Sequence, residues 1–217
     1  MRFKNRREAG RALAKLLTRF GEENPVVLGL PRGGVPVAYE VAMWLTAPLD
    51  VFIVRKLGVP GNKEAAFGAI ASGGVRVIHD YARALLTPKE IESVAQAEMA
   101  ELQRRETLYR KNRPALSIED RAVLLIDDGL ATGASMRAAV LALRRHHPRY
   151  IVVGVPVASP EGCEEFRDLV DEIICVVQPQ PLYAVGMWYD DFSQTTDREV
   201  QDLLHAADRA YSWLEGY

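Results

Sequence analysis

Short apolar segments that alternate with helical patterns constrain the fold of this chain more than any other feature of its sequence. Five segments rich in Val, Ile and Leu have the length and composition of buried strands: residues 26–30, 50–54, 123–126, 151–157 and 172–177. Helix-like stretches precede or separate most of them, at residues 5–20, 35–45, 88–111, about 134–146 and 160–169. Strand, helix and strand in this order predict an α/β fold with a central, mostly parallel sheet flanked by helices.

A β-hairpin is expected between the second and the third of these strands. Two β-prone runs, at residues 67–71 and 75–78, are separated by Gly73 and Gly74. A pair of glycines between two short β-prone runs is typical of a hairpin turn. The hairpin is therefore predicted as an addition to the central sheet.

Length and composition are those of one ordinary globular domain, residues 1–217, with its core at about residues 25–178. Hydrophobic residues make up 48% of the chain and charged residues 26%, which excludes a disordered chain or a disulfide scaffold. The apolar runs fall short of the roughly 18 residues of a membrane span, and the chain does not open with a signal-peptide pattern. We therefore expect a cytoplasmic protein without a membrane partner.

Cys163 and Cys175 lack zinc spacing and are expected to be free thiols.

Charge is unevenly distributed, although the net charge is only −2. Residues 1–20 contain seven of the 27 basic residues and a single acid, Glu8. A nucleic-acid-binding arm is one interpretation of this asymmetry, but loops far from the N-terminus already account for an anionic ligand. We expect no nucleic-acid partner and a basic helix face that meets the acidic body or a second subunit.

The loop after residues 123–126 has the composition of a phosphate-binding site. Two acids, Asp127 and Asp128, follow the strand, and glycines and hydroxyl side chains then lead into a helix. Glycines allow backbone N–H groups to approach an anion, and the helix N-terminus adds partial positive charge. The acids suit neutral hydroxyl groups or a metal ion. A phosphate beside vicinal hydroxyls is a ribose 5-phosphate, whereas the alternative is an ordinary strand-turn-helix junction capped by Asp128.

Residues 123–135, Val-Leu-Leu-Ile-Asp-Asp-Gly-Leu-Ala-Thr-Gly-Ala-Ser, resemble the thirteen-residue phosphoribosyl pyrophosphate (PRPP) motif of type I phosphoribosyltransferases. Residues 28–34, Leu-Gly-Leu-Pro-Arg-Gly-Gly, resemble the pyrophosphate loop of that family. Arg55 and Lys56, at the end of the predicted strand 50–54, resemble its basic pair, and the hairpin resembles its flexible loop. The resemblance covers roughly residues 25–160.

This resemblance implies transfer of a 5-phosphoribosyl group from PRPP to a nitrogenous, nucleobase-like acceptor with release of pyrophosphate. It implies Mg²⁺ as cofactor and a homodimer, with PRPP and a small-molecule acceptor as ligands. Catalytic roles fall to Arg55, Lys56, Asp127 and Asp128, and the two acids reach the metal indirectly, through ribose hydroxyls or water. The implied PRPP-binding residues are Pro31, Arg32, Gly33, Gly34, Gly129, Leu130, Ala131, Thr132, Gly133, Ala134 and Ser135.

The acceptor side is less clearly marked. In this family a small hood covers the base, and residues 88–111 and 183–215 are the candidate hood elements. Ser159, Trp188 and Tyr189 are candidate acceptor contacts, although clustered aromatic residues are more often part of a core. Hypoxanthine-guanine enzymes have an acid where this chain has Ala131, so the residues leave the acceptor unassigned.

Two alternatives to an enzyme of this family remain. One is a regulatory protein of the same fold that binds PRPP or a nucleotide without catalysis. The other is a metal-dependent phosphohydrolase that uses Asp127 and Asp128 as ligands. The second is disfavoured because such enzymes need further carboxylates at other strand ends, and residues 31–34 and 55–56 are cationic or neutral.

Overall fold

A computed structural model describes residues 2–111 and 113–215, and its central sheet is the predicted parallel one. Strands are numbered along the chain, and the sheet has the order β2-β1-β6-β7-β8 with every neighbouring pair parallel. The predicted α/β class is thus confirmed. The strands are β1 (Val26–Gly29), β2 (Leu49–Val51), β6 (Ala122–Ile126), β7 (Tyr150–Val157) and β8 (Glu172–Val177).

A second, antiparallel sheet contains β3 (Val54–Val59), β4 (Asn62–Ala71) and β5 (Val75–Ile78). The β4–β5 pair is the predicted hairpin, but β3 adds a third strand that we did not predict. The prediction of one strand over residues 50–54, ending before Arg55 and Lys56, is wrong. Because β2 ends early and the chain crosses into the second sheet, both residues lie within β3 and pair with β4. A two-residue turn at Pro60-Gly61, with Gly61 at φ 80°, allows β3 to continue directly into β4.

Seven α-helices are described, and most match their predicted positions. The stretch 5–20 forms an α-helix only to Leu16, and Thr18–Glu23 continues as a 3₁₀-helix. The stretch 160–169 is helical only to Glu164, because the N–H groups of Phe166, Arg167 and Leu169 donate to the third preceding carbonyl and form turns. None of the described helices is long and apolar enough to cross a membrane. The helices are α1 (Arg6–Leu16), α2 (Gly34–Leu45), α3 (Ala82–Leu85), α4 (Pro88–Arg110), α5 (Ala134–Arg144), α6 (Pro160–Glu164) and α7 (Asp197–Glu215).

Both faces of the central sheet are covered, as its uninterrupted apolar strands require. Successive residues of β6 point to opposite faces, so Leu124 packs with the core beneath α1 and α2. Its neighbours Val123 and Leu125 pack with the core beneath α5. Helices packed on both faces hold the strands in place. The loops of the candidate site follow the ends of these strands.

The two cysteines are close neighbours in the structure. Cys163 lies in α6 and Cys175 in β8, and their Sγ atoms are 2.6 Å apart. Both are free thiols, as predicted. Their separation of 12 positions in the chain gave no indication of this contact.

A buried ion pair joins the end of α4 to the central sheet. Arg110 and Asp50 are 7% and 6% exposed. The Nε of Arg110 donates to Oδ1 of Asp50 at 3.0 Å, and its second guanidinium nitrogen donates to the carbonyl of Val51 at 3.0 Å. Glu106 accepts a further bond at 2.9 Å. The pair ties α4 to the sheet, because separating the two would leave a buried charge without its partner.

Asp50→Asn is expected to destabilise the fold strongly, because it leaves the buried charge of Arg110 without its main partner. Breaking a buried pair costs roughly 3–5 kcal/mol, and we expect about 3 kcal/mol here because Glu106 remains. Urea unfolding followed by circular dichroism measures the loss.

Asp202→Asn is the matched control. It removes the partner of Arg198 in a pair whose side chains are 69% and 90% exposed, and we expect almost no change in unfolding free energy. Similar small losses in both variants would contradict the role given to the buried pair.

Candidate functional site

The candidate site lies at the C-terminal edge of the central sheet, where β1, β6 and β7 end. The N–H of Leu30 donates to the carbonyl of Ile126 at 2.9 Å, and that of Leu130 to the carbonyl of Val157 at 2.8 Å. These bonds hold the loops after the three strands against one another. Ligands of open α/β sheets bind beyond the carboxyl ends of strands, so this edge is the expected place for a site.

Two glycines allow the first loop to pack directly against the acids of the second. A Cβ atom on Gly33 would lie 2.1 Å from Oδ2 of Asp128. A Cβ atom on Gly34 would lie 2.9 Å from the Cα of Asp127. The peptide between Pro31 and Arg32, just before them, is cis. A side chain at either glycine would push the loops apart, and α2 begins at Gly34, so its positive N-terminal end lies beside the acids.

The acids have different hydrogen-bond partners. Oδ1 of Asp127 accepts the backbone N–H of Asp128 at 2.8 Å. Oδ2 of Asp128 accepts the Nε–H of Arg6 at 2.7 Å. Burial and then the neighbouring charge of Asp128 hold the pKa of Asp127 well above its ordinary value. Burial also raises the pKa of Asp128, and the hydrogen bond from Arg6 offsets part of that rise.

Arg6 is the site residue that the sequence did not reveal. It is the first residue of α1, which Asn5 caps by accepting the N–H of Glu8. The basic cluster in residues 1–20 was the available signal, but nothing in it distinguished Arg6 from its neighbours. Three of those neighbours pair with acids of the body, as expected of a basic face: Arg7 and Arg11 with Glu40, and Arg19 with Glu172.

Residues 2–6 and 185–193 form a cover over the acids, and we call these two segments the strap. The N–H of Phe3 donates to the carbonyl of Trp188 at 2.9 Å, and the N–H of Asp190 donates to the carbonyl of Phe3 at 2.8 Å. The hydroxyl of Tyr189 donates to the backbone carbonyl of Asp128 at 2.6 Å. Part of the predicted hood segment 183–215 thus lies over the site, paired with N-terminal residues that we had not included.

The strap corrects one candidate acceptor contact. Tyr189 is 2% exposed, and its ring contacts those of Phe3 and Phe192 at centroid distances of 5.7 and 4.9 Å. It therefore does not offer a free face for stacking. Trp188 is half-buried. Ser159 is half-buried as well, and its Oγ caps α6 by accepting the N–H of Gly162 at 2.9 Å.

The loop from Gly129 to the start of α5 contains both packed and exposed residues. A Cβ atom on Gly129 would lie 2.3 Å from Val185 of the strap, and Gly133 has φ 67° at the N-terminus of α5. Leu130 is buried and its N–H is bound to Val157, so it serves packing rather than an exposed contact. The N-cap position of α5 belongs to Gly133, which rules out the alternative in which Asp128 is a simple helix cap. The loop residues exposed at the start of α5 are Ala131, Thr132, Ala134 and Ser135.

Two of the predicted cations, Arg55 and Arg32, are held by carboxylates from other elements. Arg55 pairs with Glu98 of α4 at 2.5 Å. Lys56 follows it in β3, so it projects to the opposite face of that sheet, and it is exposed. Arg32 lies 3.7 Å from Asp197, the first residue of α7. The structure therefore does not bring Arg55 and Lys56 together on one surface.

Asp197 has a second partner, on α4. The hydroxyl of Tyr109, in α4, donates to Asp197 at 2.7 Å, and burial followed by this contact raises the pKa of Tyr109 to about 12. Arg32 of the first loop is thereby connected to both α4 and α7. These two helices are parts of the predicted hood segments 88–111 and 183–215.

The site fits a metal ion that a phosphate ligand brings with it. Among the described residues there is no group of three or more His, Cys, Asp or Glu side chains arranged to hold a metal. Asp127 and Asp128 supply carboxylate oxygens only. Mg²⁺ usually binds through one or two carboxylates together with waters and substrate phosphates, and this donor set matches that pattern.

Comparisons with known proteins identify a family. The model described as "Phosphoribosyl transferase domain" matches residues 4–190. Two curated proteins, from Mycobacterium tuberculosis strains CDC 1551 and H37Rv, each carry the name "Putative phosphoribosyl transferase" and are 42% identical over 212 residues, or 97% of this chain. Because the match takes in 48% of each of them, the chain spans about half the length of the curated relatives it matches.

A solved structure is similar over almost its whole length. The crystal structure of the protein TT1426 from Thermus thermophilus has 46% sequence identity with this chain and a TM-score of 0.85. The match covers 94% of this chain and 98% of that one. The two chains therefore share one fold over nearly the same length.

Asp127→Asn is expected to stabilise the ligand-free protein at neutral pH. The folded-state pKa of Asp127 is raised, so ionising this carboxyl group costs folding free energy. That cost is absent below the unfolded pKa of about 3.9 and is complete above the folded pKa. Asn retains the oxygen that accepts the N–H of Asp128. We expect a higher Tm than wild type at about pH 7.5 and the same Tm at about pH 3.5, as measured by differential scanning calorimetry.

Asp168→Asn, which removes an exposed carboxyl group, serves as the control and should show no such pH-dependent gain. A lower Tm for Asp127→Asn than for wild type at about pH 7.5 would contradict the effect assigned to burial.

Proposed function

Because this chain belongs to the phosphoribosyl transferase domain family, we propose that it transfers the 5-phosphoribosyl group of PRPP to a nitrogenous, nucleobase-like acceptor and releases pyrophosphate. The observation that carries the proposal is the contact between the two glycines after β1 and the two acids after β6. This contact brings a loop suited to pyrophosphate beside a loop suited to ribose 5-phosphate. The acceptor is a heterocycle whose ring nitrogen acts as the nucleophile.

The second loop binds the ribose 5-phosphate in this proposal. Thr132 and Ser135 are exposed at the N-terminus of α5, where hydroxyl groups and backbone N–H groups can bind the 5-phosphate together with the helix dipole. Asp127 and Asp128 precede them at the other end of the loop. Their carboxylates accept hydrogen bonds from the two ribose hydroxyls.

Cations and backbone donors bind the departing pyrophosphate. Arg32, Gly33 and Gly34 supply a guanidinium group and the N-terminal end of α2. Lys56 is exposed and free to approach from β3, whereas Arg55 must first leave Glu98. Mg²⁺, when bound, neutralises charge on the pyrophosphate and so makes it a better leaving group.

The reaction breaks the bond between ribose C1 and the pyrophosphate oxygen, and the bonding electrons leave with pyrophosphate. Positive charge develops at C1, and the carboxylates of Asp127 and Asp128 stabilise it. The acceptor nitrogen then forms its bond to C1, and its proton passes to water. Ser159 and Trp188 remain the proposed acceptor contacts, and the strap excludes water that would otherwise hydrolyse the sugar.

We extend the proposal to the setting of the enzyme. A single domain over residues 1–217, with its core at 25–178, acts as a homodimer in the cytoplasm and depends on Mg²⁺. Residues 88–111 and 183–215 serve as the hood.

A second candidate function is a regulatory protein that binds PRPP or a nucleotide without catalysis. The contact between Arg55 and Glu98 favours it, because a cation held away from the leaving group does not activate that group. An exposed Lys56 and a complete acid pair favour the enzyme.

A screen of nucleobases and related heterocycles with PRPP and Mg²⁺, read as acceptor-dependent release of pyrophosphate, tests the proposal. Asp128→Asn and Lys56→Ala are expected to lower turnover about 100-fold, because each removes a preorganised charge at the reacting centre. Lys15→Ala, which changes an exposed lysine of α1, should retain wild-type turnover.

The outcomes separate the candidate functions. Mg²⁺-dependent PRPP binding measured by calorimetry, without pyrophosphate release for any acceptor, would favour the regulatory protein. Unchanged turnover in both site variants would contradict the residue roles. Phosphate release from simple phosphomonoesters that survives Lys56→Ala would instead indicate a phosphohydrolase.

A further inference from the structure

Arg6 joins three parts of the chain that are far apart in sequence. Its Nε donates to Asp128, 122 positions away, at 2.7 Å, and its Nη1 donates to the carbonyl of Ser193 at 2.7 Å. Its guanidinium carbon lies 4.0 Å from the centroid of the Phe192 ring. The guanidinium group is therefore fixed by an acid of the site on one side and by the strap on the other.

The burial of its arginine distinguishes this ion pair from the other ion pairs of α1. The side chains of Arg6 and Asp128 are 12% and 17% exposed. By contrast, the side chain of Arg7 is 52% exposed in its pair with Glu40 of α2, whose side chain is 11% exposed. A guanidinium group that is half exposed to water orients its partner weakly, whereas a desolvated, multiply bonded guanidinium group fixes the geometry of its partner.

We propose that Arg6 is a positioning residue for the carboxylate of Asp128 and thereby for the ribose of PRPP. This inference rests on the proposed function. The Nε–H of Arg6 occupies Oδ2 of Asp128, and a carboxylate has about four acceptor positions on its two oxygens. Oδ1 is thus oriented and available for a ribose hydroxyl while the guanidinium group stays in place.

Charge gives a second reason for a cation at this position. PRPP is a polyanion, and the two adjacent carboxylates of Asp127 and Asp128 oppose its approach by like-charge repulsion. Arg6 supplies the positive charge in direct contact with Asp128. Gly33 and the phenol of Tyr189, which also contact Asp128, are neutral, whereas Asp191 of the strap is a second acid near Arg6. The two adjacent carboxylates are suited to binding hydroxyl groups. The positive charge of Arg6 lowers their repulsion of a phosphorylated ligand, so that the same pair can bind the ribose of PRPP.

The same side chain links PRPP to the acceptor side. Ser193 and Phe192 belong to the strap, as does Trp188, a proposed acceptor contact. Arg6 donates hydrogen bonds to both Asp128 and the strap. A movement of the strap would therefore shift the guanidinium group that orients the carboxylate of Asp128.

The test compares Arg6→Gln with Arg7→Gln, the same substitution at the next position of the same helix. Calorimetric titration with PRPP and Mg²⁺ should give a Kd about tenfold weaker for Arg6→Gln and a Kd within twofold of wild type for Arg7→Gln. Arg6→Lys should recover part of the affinity, because it restores the charge without the planar contacts. In an Asp128→Asn background, Arg6→Gln should cause no further loss, which a general effect on folding would not produce.

The outcomes distinguish a failure of the proposed function from a failure of the role given to Arg6. Wild-type protein that does not bind PRPP contradicts the proposed function itself. Wild-type binding together with equal or tighter binding by Arg6→Gln overturns the role of Arg6 and leaves the proposed function standing. If Arg6→Gln does not fold, Phe192→Leu replaces it, since this variant loosens the guanidinium group and keeps its charge. We expect Phe192→Leu to weaken PRPP binding two- to threefold, and an unchanged Kd would count against the proposal.

Discussion

The contact between the glycines after β1 and the acids after β6 is the constraint on which the site depends. Parallel pairing of β1 with β6 ends both strands at the same edge, with Gly29 opposite Ile126. Gly33 and Gly34 then allow the two loops to meet with no side chain between them. Any larger residue there would separate the pyrophosphate side of the proposed site from its ribose side. The shape of the site is thus a result of backbone packing, and the charged groups are added to that frame.

Charge compensation is the second principle of the site. Arg6 is held by Asp128, Arg32 by Asp197, and Arg55 by Glu98. The three acids lie on three different elements, so each cation is tied to a separate part of the fold. A ligand with several phosphate oxygens would compete with these carboxylates for the cations. Through Asp197 and Glu98, the proposed pyrophosphate side is connected to α7 and α4.

The parts of the structure that depend on residues close together in the sequence could be predicted from it. The strands, the hairpin, α2, α4 and the acid-glycine loop all have local patterns, and the structure contains them. The extent of β3 was not predicted, because the strand expected over residues 50–54 ends before Arg55, whereas the chain pairs with β4 beyond that point. Arg6 was missed for a different reason, since its partner lies 122 positions away and no local pattern reports such a contact. Tyr189 was a candidate acceptor contact because it belongs to a cluster of aromatic residues. The sequence of such a cluster does not show which ring faces the fold will cover, and in the structure the ring of Tyr189 is buried.

The strap explains why the acceptor side has the weakest sequence signal. It combines residues 2–6 with residues 185–193, and these come from opposite ends of the described chain. Its packing nonetheless bears directly on the loop below, since Val185 fills the space beside Gly129 and the hydroxyl of Tyr189 is bonded to the carbonyl of Asp128. The strap cannot shift without changing the support of that loop. A heterocycle that displaced the strap would therefore alter the proposed PRPP site as well, because the proposed acceptor side and the proposed PRPP loop share the same few contacts.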